Sequence, residues 1–406
     1  MSPRVSGVDS GQPRAPQISK VITIAAGHAA HDTYSAFLPP LLPVFIERLS
    51  LARAEAGLLT VFLQGPSLLQ PIIGHLGDRR DLRLAVILSP ALTAVCMSLM
   101  GLAPGYGALV LLLVTAGVSA AVLHSVAPVL AGRLSGHRLG FGMGFWMVGG
   151  ELGRTLGPVL VVSTVALLGL GGMPWLMIGG LAASALLAFG LRGVRAQGVR
   201  GDNPRNFSRS VRSMRPLLIP LIGIVVSRAF MMAASTTYLP VFLREDGEGL
   251  WVAGASLSVL EGAGVMGALV GGSASDVLGR RRVLAFSLLA TPVMMLVLLN
   301  ASGWWRVPVL MALGFTGLMA TPVIMASVQE SFPEDRALAN GVYMALSFAV
   351  RSIVVVLVGG VADWMGMRWT FLVCALLALV GAPFVTWLPG GSGRGSSSTD
   401  AGSDQS

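Results

Sequence analysis

The sequence predicts an all-α membrane protein of twelve transmembrane helices, arranged as two six-helix bundles that a pseudo-two-fold repeat relates. Of its 406 residues, 54% are hydrophobic and 12% are charged, about half of the charged fraction of a soluble domain. The apolar residues form continuous stretches long enough to cross a bilayer as helices, whereas membrane β-strands are shorter and alternate. Motifs of the first half recur at a constant spacing in the second half, which predicts two similar bundles.

The apolar stretches define the spans in chain order. Spans 1 to 6 are predicted at residues 21–46, 55–76, 84–103, 106–134, 139–168 and 173–191. Spans 7 to 12 are predicted at residues 216–243, 250–275, 283–301, 305–332, 337–362 and 367–387. Helices are expected because a lipid-exposed segment must satisfy its backbone hydrogen bonds internally. The bundles then cover residues 20–191 and 216–388, and we expect disordered cytoplasmic tails at residues 1–19 and 389–406.

The 28 lysines and arginines predict the orientation. With the N-terminus inside, twenty fall in cytoplasmic segments and three fall inside spans. The other five lie in outer loops, and they are Arg48, Arg53, Arg244, Arg306 and Arg368. The positive-inside rule therefore places both termini in the cytoplasm, with the protein as a multi-pass protein of the cell membrane.

A basic segment at residues 192–215 divides the two sets of six spans. It contains seven arginines and a single acid, Asp202, and it shows no apolar periodicity. We expect a cytoplasmic linker, either a simple retention signal or a patch that binds lipid or a partner. Because most basic residues follow the loops in this way, the net charge of +9 indicates membrane topology rather than binding of nucleic acid.

A spacing of 197 residues relates the two halves. It maps the Leu-Pro-Val-Phe motif at 42–45 onto the same motif at 239–242. Other pairs at this spacing are Gly117 with Gly314, Arg154 with Arg351, His31 with Arg228 and Gln64 with Glu261. Parallel repeats occur in transporters whose halves rock about a central site near the bilayer midplane. We therefore expect ionisable groups at related depths in both bundles.

Three ionisable side chains lie near the middle of span 1: His28, His31 and Asp32. Ionisable groups inside a membrane are energetically costly, so each is a candidate functional residue. His28 and Asp32 are four residues apart and share one helix face. We expect Asp32 to carry a proton and Arg228, in the repeat-related span, to be its cationic partner. A static pair of Asp32 with Arg228 or with a histidine is the alternative.

Five further ionisable groups fall inside predicted spans, and they are His124, Glu151, Arg154, Glu261 and Arg351. Glu151 and Arg154 are three residues apart, so we expect them to neutralise each other. Glu261 has no partner within its own span, and Arg351 is the candidate partner. Glu261 is therefore a second candidate proton site, and His124 is a candidate for lining the central cavity.

Aromatic, methionine and amide side chains beside these charges are candidates for a substrate cavity. They are Tyr34, Gln64, Trp146, Phe230, Met231 and Tyr238. Such side chains suit drug-like compounds because they combine apolar surface with a few polar atoms. Packing against neighbouring helices or contact with lipid is the alternative for each of them.

Two loops share the pattern Gly-x-x-x-Asp followed by basic residues at a predicted cytoplasmic turn. The candidate gating residues are Gly74, Asp78, Arg79 and Arg83 after span 2, and Gly272, Asp276, Gly279 and Arg280 after span 8. The aspartate can accept hydrogen bonds from arginines or from a helix N-terminus in one state of a rocking protein. The first copy has Asp81 where the second has Gly279, and a looser copy occurs at 359–363. The pattern resembles the loop signature of the major facilitator superfamily, which implies that fold.

Span 5 contains Gly144, Gly153, Gly157 and Pro158, a spacing that resembles the antiporter motif of the same superfamily. Glycines four residues apart share one helix face and permit close packing, and a proline favours a bend. The two glycines that usually close the motif are replaced by valines at 161 and 162. The stretch is either a hinge for antiport or simple helix packing.

Several short motifs together resemble those of the fosmidomycin-resistance-like drug exporters. They include His28-x3-Asp32, Gln70-Pro71-x2-Gly74, Leu123-His124, Gly149-Gly150-x2-Gly153-x3-Gly157-Pro158, Ser227-Arg228-x-Phe230 and Gln329-Glu330-x2-Pro333. Glu151, Arg154 and Arg228 depart from the pattern of that family. The resemblance implies a proton-coupled antiporter for the efflux of small drug-like or polar compounds, and with it antibiotic resistance.

Other classes of function find little support in the sequence. It has no nucleotide-binding, metalloprotease or serine-hydrolase motif, so we predict neither an enzyme nor an ATP-driven pump. We expect no cofactor and no metal; the expected partners are a small-molecule substrate, protons and the lipid bilayer, with the protein a monomer. Uptake or export of an endogenous metabolite is the first alternative, and a receptor or assembly protein without transport is the second.

Overall fold

The computed structural model describes residues 16–136, 138–194, 215–331 and 336–388, and these residues form an all-helical protein. The helices of spans 1 to 6 are Ile18–Ser35 with Leu38–Leu49, Arg53–Gln64 with Gln70–Arg79, Arg83–Leu99, Tyr106–Leu134, Leu139–Leu168 and Met177–Gly190. Those of spans 7 to 12 are Arg215–Met232 with Leu239–Glu245, Leu250–Leu278, Arg280–Leu298, Arg306–Ser331, Arg336–Met365 and Met367–Leu379. The predicted C-terminal tail, and most of the N-terminal tail and the linker, lie outside the described residues.

Span 1 is broken, although the sequence predicted one continuous helix. Eleven other stretches of the described residues are long and apolar enough to cross a membrane. Span 1 divides after Ser35, and Pro39 follows in the first turn of its second helix, where a missing N–H is tolerated. Span 7 is irregular at the repeat-related place, because residues 233–238 form a π-helical turn before Pro240. The predicted fold class is therefore confirmed, with matching irregularities in both halves.

The sequence repeat is also a repeat of helix packing. Gly117 of span 4 lies against the carbonyl of Leu63 in span 2, and Gly314 of span 10 lies against the carbonyl of Leu260 in span 8. Both residues of the second contact lie 197 positions beyond those of the first. A side chain at either glycine would collide with the opposite backbone, so small residues set the helix separation.

The two halves share an apolar core near one end of the molecule. This core contains buried residues of both halves, such as Leu38 and Phe242. Two smaller cores belong to single halves, and they include Ile24 in the first and Ile224 in the second. The shared core lies toward the end where spans 1 and 7 finish, which we name the outer end after the predicted orientation. Spans 2 and 11, and spans 5 and 8, pack against each other across the halves.

Exposed tryptophans surround the outer end. Six of the eight tryptophans lie there, and they are Trp175, Trp251, Trp304, Trp305, Trp364 and Trp369. Tryptophan is enriched where a membrane meets water, because its ring is apolar and its N–H is polar. The belt therefore indicates that the outer ends of the spans reach one membrane interface.

Candidate functional site

Asp32 is the centre of a buried charge cluster in the first half. Its carboxylate lies 2.9 Å from His31 Nδ1, 3.3 Å from His28 Nε2 and 3.5 Å from His124 Nε2. Arg154 Nη1 lies 3.2 Å from the same carboxylate. The side chain of Asp32 is only 5% exposed, whereas that of His124 is 32% exposed. Spans 1, 4 and 5 therefore meet at one carboxylate, and His124 is its most accessible neighbour among the three histidines.

The imidazoles of His28 and His124 face each other through their Nε2 atoms. Among the described residues, the other partner of both Nε2 atoms is the Asp32 carboxylate. His28 Nδ1 lies 2.8 Å from the carbonyl oxygen of Trp146, and His124 Nδ1 lies 2.9 Å from that of Ala120. A carbonyl only accepts hydrogen bonds, so each Nδ1 must carry the proton of its ring. The two Nε2 atoms are 3.2 Å apart. If both rings are neutral, the lone pairs of the two Nε2 atoms face each other and repel. One added proton on either Nε2 replaces this repulsion with a hydrogen bond between the rings.

The sequence predicted that Trp146 lines a substrate cavity, but the structure places this residue against His28. Its side chain is buried, and its ring stacks on the His28 imidazole with ring centres 3.6 Å apart and planes 13° apart. The backbone carbonyl of the same residue accepts the His28 Nδ1 proton. Trp146 therefore fixes both the plane and the tautomer of His28, which aims Nε2 at His124.

The glycines of span 5 bring this cluster together. A β-carbon on Gly153 would lie 2.8 Å from the backbone nitrogen of Thr33 and 2.9 Å from Asp32 Cβ. Gly149 and Gly157 likewise face the backbone of span 1. Spans 1 and 5 therefore pack backbone to backbone, which explains Gly153 and Gly157 by packing; Gly144 has open space beside it. A hinge at Gly144 or at Pro158, which lies within the span 5 helix, stays a prediction.

Gly150 is a residue of the site that the sequence did not predict. A β-carbon there would lie 2.5 Å from His28 Cε1 and 3.2 Å from Asp32 Oδ2. The glycine therefore leaves the volume that the imidazole and the carboxylate occupy. The signal that could have revealed it is the Gly149-Gly150 pair, because the helical spacing turns the second glycine toward a different neighbour than the first.

The expected pair of Asp32 with Arg228 is wrong. Arg228 donates to the carbonyl oxygen of Gly317 at 3.1 Å and to Thr321 Oγ1 at 2.5 Å, both in span 10 of its own half. Arg154 takes the place at Asp32, because the close approach of spans 1 and 5 brings its guanidinium within reach. The repeat predicted the depth of Arg228 in the membrane but not the direction of its side chain.

Arg154 also contacts Glu151, as the spacing of three residues predicted. The second oxygen of Glu151 is buried and has no hydrogen-bond partner among the described residues. Glu261 interacts electrostatically with Arg154 and Glu151 across the halves, and with Arg351 within its own half. Arg351 donates to Thr236 Oγ1 at 3.1 Å, and its Nε is buried without a described partner. Arg154 thus links the first-half cluster to the acid of the second half.

The remaining cavity candidates divide into two groups. Tyr34 and Tyr238 are buried and donate to backbone carbonyls, Tyr34 to Leu176 at 2.5 Å and Tyr238 to Arg53 or Val355, each at 2.9 Å. These two tyrosines therefore join helices and do not line a cavity. Met231 lines a small pocket inside the second half, together with Arg228, Ser235, Thr291 and Leu318. Gln64 and Phe230 are half-buried, and their role stays a prediction.

The second loop motif forms a compact charged turn. Arg280 pairs with Asp276 at 2.6 Å and with Glu330 of span 10 at 2.8 Å. Gly279 has a φ of +90°, in the region that glycine adopts without strain, while Gly272 has only Pro322 nearby. In the first motif, Gly74 has open space beside it. The side chains of Asp78 and Arg79 lie outside the described part.

Arg83, the last residue of the first loop motif, follows a different arrangement. Its backbone nitrogen donates to Asp81 Oδ1 at 3.0 Å, and its guanidinium reaches the carbonyl of Val194 at 3.4 Å. Asp81 therefore satisfies the start of the span 3 helix, at the position where the second motif has Gly279. A gating role for either loop stays a prediction.

The histidine cluster also has donors that suit a metal ion. One ligand atom from each of His28, Asp32 and His124 lies within 4.8 Å of the others, and two imidazoles with one carboxylate suit Zn²⁺. Arg154 already neutralises this carboxylate, which weakens the attraction for a divalent cation relative to a single proton. That the protein binds no metal stays a prediction.

The described residues form twelve spans in two repeated halves with ionisable groups buried inside them, an arrangement typical of secondary transporters. The sequence profile described as Major Facilitator Superfamily matches residues 24–276 and 253–403. The chain belongs to this superfamily. The predicted class of protein, a transporter rather than an enzyme, is thereby confirmed.

Named relatives agree with this assignment. The chain is 27% identical over 369 residues to the fosmidomycin resistance protein of Escherichia coli (strain K12), covering 88% of this chain and 90% of the relative. It is 23% identical over 372 residues to the uncharacterized MFS-type transporter YfnC of Bacillus subtilis (strain 168), covering 89% and 90%. The predicted resemblance to fosmidomycin-resistance-like exporters is confirmed.

Solved structures share the fold. One is a bacterial homologue of the human lysosomal transporter Spinster in an inward-facing, unoccupied conformation, with a TM-score of 0.76 at 13% identity over 91% of this chain and 97% of the other. Another is the nucleoside transporter NupG, with a TM-score of 0.75 at 14% identity over 91% of this chain and 100% of the other. At these identities the likeness concerns the fold.

Proposed function

We propose that the protein is a proton-coupled exporter of a small drug-like or polar compound that works by alternating access. The observation that carries the proposal is the pair of imidazole Nε2 atoms 3.2 Å apart beside a buried carboxylate. A proton-driven transporter needs a buried site that gains and loses a proton in each cycle. The relative named for fosmidomycin resistance supports export as the direction.

The charges of the first-half cluster suit one added proton. With neutral imidazoles, Asp32 and Glu151 carry two negative charges and Arg154 one positive charge, so the cluster has a net charge of −1. One proton on the His28–His124 pair brings the cluster to neutrality, which a low-dielectric interior favours. Asp32 is the acid that holds the proton there, and His124 is the exposed member through which the proton enters.

Arg154 can couple protonation of the first-half cluster to the interaction between the two halves. In this mechanism the imidazolium competes with Arg154 for the Asp32 carboxylate, so proton binding weakens the pair of Arg154 with Asp32. The freed guanidinium then favours Glu261, with which it already interacts electrostatically. Loss of the proton reverses this preference. Protonation thereby changes the attraction between the halves, which is what coupling requires.

Transport by purified protein in lipid vesicles tests the proposal. The substrate to try first is fosmidomycin, because a relative is named for resistance to it. An inside-acid pH gradient should drive uptake of the compound into vesicles as protons leave. Asp32→Asn should abolish the stimulation by the gradient, because the amide removes the charge that holds the proton.

Glu47→Gln is the matched control, since it changes an exposed acid of the same span to its amide. This variant should retain the response to the gradient. If uptake by the Asp32→Asn protein still rises with the gradient, the proposed proton site is wrong. A susceptibility screen of cells with and without the protein supplies further compounds, and resistance to none of them would count against a role in drug export.

This function also carries expectations for the setting of the protein. We expect it in the cytoplasmic membrane with both termini inside, as the distribution of arginines predicts. We expect a monomer, because each chain contains both halves of the site. Size-exclusion chromatography with light scattering in detergent measures this directly.

A further inference from the structure

The outer end of span 11 caps the start of span 2 across the two halves. Asp363 accepts hydrogen bonds from the backbone N–H groups of Arg53 at 2.7 Å and of Ala54 at 3.0 Å. The first N–H groups of a helix have no partner within it and carry its partial positive charge. A carboxylate from the opposite half therefore satisfies groups that would face water if the outer ends separated.

Three further contacts join the same place. Arg53 pairs with Glu245 of span 7 at 2.6 Å and with Asp363 at 3.4 Å. The hydroxyl of Tyr238 lies 2.9 Å from the carbonyl oxygens of both Arg53 and Val355. The ion pairs are partly exposed and contribute little alone. The caps on backbone N–H groups are charge-assisted and directional, so they carry more of the closure.

Glycine makes room for this contact. A β-carbon on Gly57 of span 2 would meet the Tyr238 hydroxyl, and a β-carbon on Gly359 of span 11 would lie 2.6 Å from the Arg53 carbonyl oxygen. Gly359 and Asp363 are the ends of the third Gly-x-x-x-Asp pattern of the sequence. In this third copy both ends of the pattern serve the same contact: Gly359 leaves room for span 2, and Asp363 accepts hydrogen bonds from the start of that span.

The repeat-related interface between spans 5 and 8 is built differently. Asp363 corresponds to Ala166, and Gly359 corresponds to Val162, which packs against Gly254. The described hydrogen bonds between these two spans are neutral: the backbone nitrogen of Val159 donates to Ser258 Oγ at 3.1 Å, and Trp251 Nε1 donates to Ser163 Oγ at 3.0 Å. The carboxylate cap is therefore a feature of one of the two interfaces and not a consequence of the fold.

We infer that Asp363 is the latch of an outer gate, so that its hydrogen bonds to span 2 set how often the outer ends of the halves separate. The inference rests on the alternating access of the proposed function. These contacts exist only while the outer ends are together, and removing them shifts the population toward the outward-open state. The shift needs no change in the proton site.

Labelling of a buried cysteine tests the latch. Val355→Cys places a thiol in the shared apolar core, at a residue that is 1% exposed and whose backbone carbonyl faces Gly57 of span 2. The two native cysteines are removed by Cys96→Ala and Cys374→Ala. In detergent, where both ends of the protein are accessible, Asp363→Asn should raise the rate of labelling by a hydrophilic maleimide about tenfold, since it weakens two charge-assisted bonds.

Asp246→Asn is the control, because this outer acid pairs with Arg306 and Arg368 inside its own half. It should leave the rate unchanged, and an equal rise in both variants would overturn the inference. If Asp363→Asn does not fold, Tyr238→Phe should give the same rise, and an unchanged rate there overturns the latch. Labelling needs no substrate and no pH gradient. The labelling rates therefore test the latch independently, even if proton-driven transport is not observed.

Discussion

At the scale of residues, the space beside the histidines matters as much as their charge. Gly150 faces the edge of the His28 ring and the Asp32 carboxylate. Trp146 covers the face of the same ring. His28 is thereby confined on two sides, and its Nε2 has one direction left, toward His124 and Asp32. The proposed proton site therefore depends on a residue that has no side chain.

Gly150→Ala should reduce proton-driven transport at least tenfold while the protein remains folded. The added methyl group would lie 2.5 Å from His28 Cε1, so the imidazole must turn away from His124. Vesicle uptake with an inside-acid gradient measures the effect. Gly107→Ala, in the span 4 helix that carries His124, meets no atom within 4 Å and should transport normally; equal activity of the two variants would contradict the proposed proton site.

The sequence predicted which residues belong to the charged cluster, but not all of the contacts between them. His28, His124, Asp32, Glu151 and Arg154 were all predicted as members of a central cluster, because buried charge stands out in an apolar span. The assignment of partners failed for Arg228, because the repeat gives position along a helix and not the rotation of the side chain. Distances between spans decide partners, and they are set by packing.

At the scale of elements, glycines facing a carbonyl set the separation of spans 2 and 4 and of spans 8 and 10. These contacts recur at the same repeat spacing. Spans 1 and 7, by contrast, share the position of their irregularity but not its form, since one is broken and the other has a π-helical turn. Packing contacts are thus repeated more faithfully than backbone detail.

Gly117→Ala and Gly314→Ala should each destabilise the protein by about 1–3 kcal/mol, the usual cost of overpacking. Each added methyl group would run into a carbonyl of the neighbouring helix. Thermal unfolding in detergent should show a lower midpoint for both variants. Gly360→Ala has open space in its helix and should not lower it. A large loss for only one of the repeat-related pair would contradict the equivalence of the two contacts.

At the scale of the whole molecule, the halves are joined through their outer ends. The shared apolar core and the contacts of spans 2 with 11 and 5 with 8 all contribute. The tryptophan belt lies at the same end. The sequence predicted the number of spans, the repeat and the class of protein, because these follow from hydropathy and spacing. It could not predict which ends meet, because contacts between halves depend on one conformation.

The orientation of the whole molecule is open to a direct test. A green fluorescent protein fused after residue 388 should fluoresce in a bacterial host, because this reporter folds in the cytoplasm. Alkaline phosphatase at the same place should be inactive. Fusions after Ser302, between spans 9 and 10, should give the opposite result. Active phosphatase at the C-terminal fusion would reverse the predicted topology.

The repeated contact between a glycine and a carbonyl separates the requirements of packing from those of chemistry. Gly117 with Leu63 and Gly314 with Leu260 keep the same helix separation in both halves. The side chains at the centre differ at equivalent positions, with His31 in one half and Arg228 in the other. One frame of packed helices therefore holds two different sets of ionisable groups.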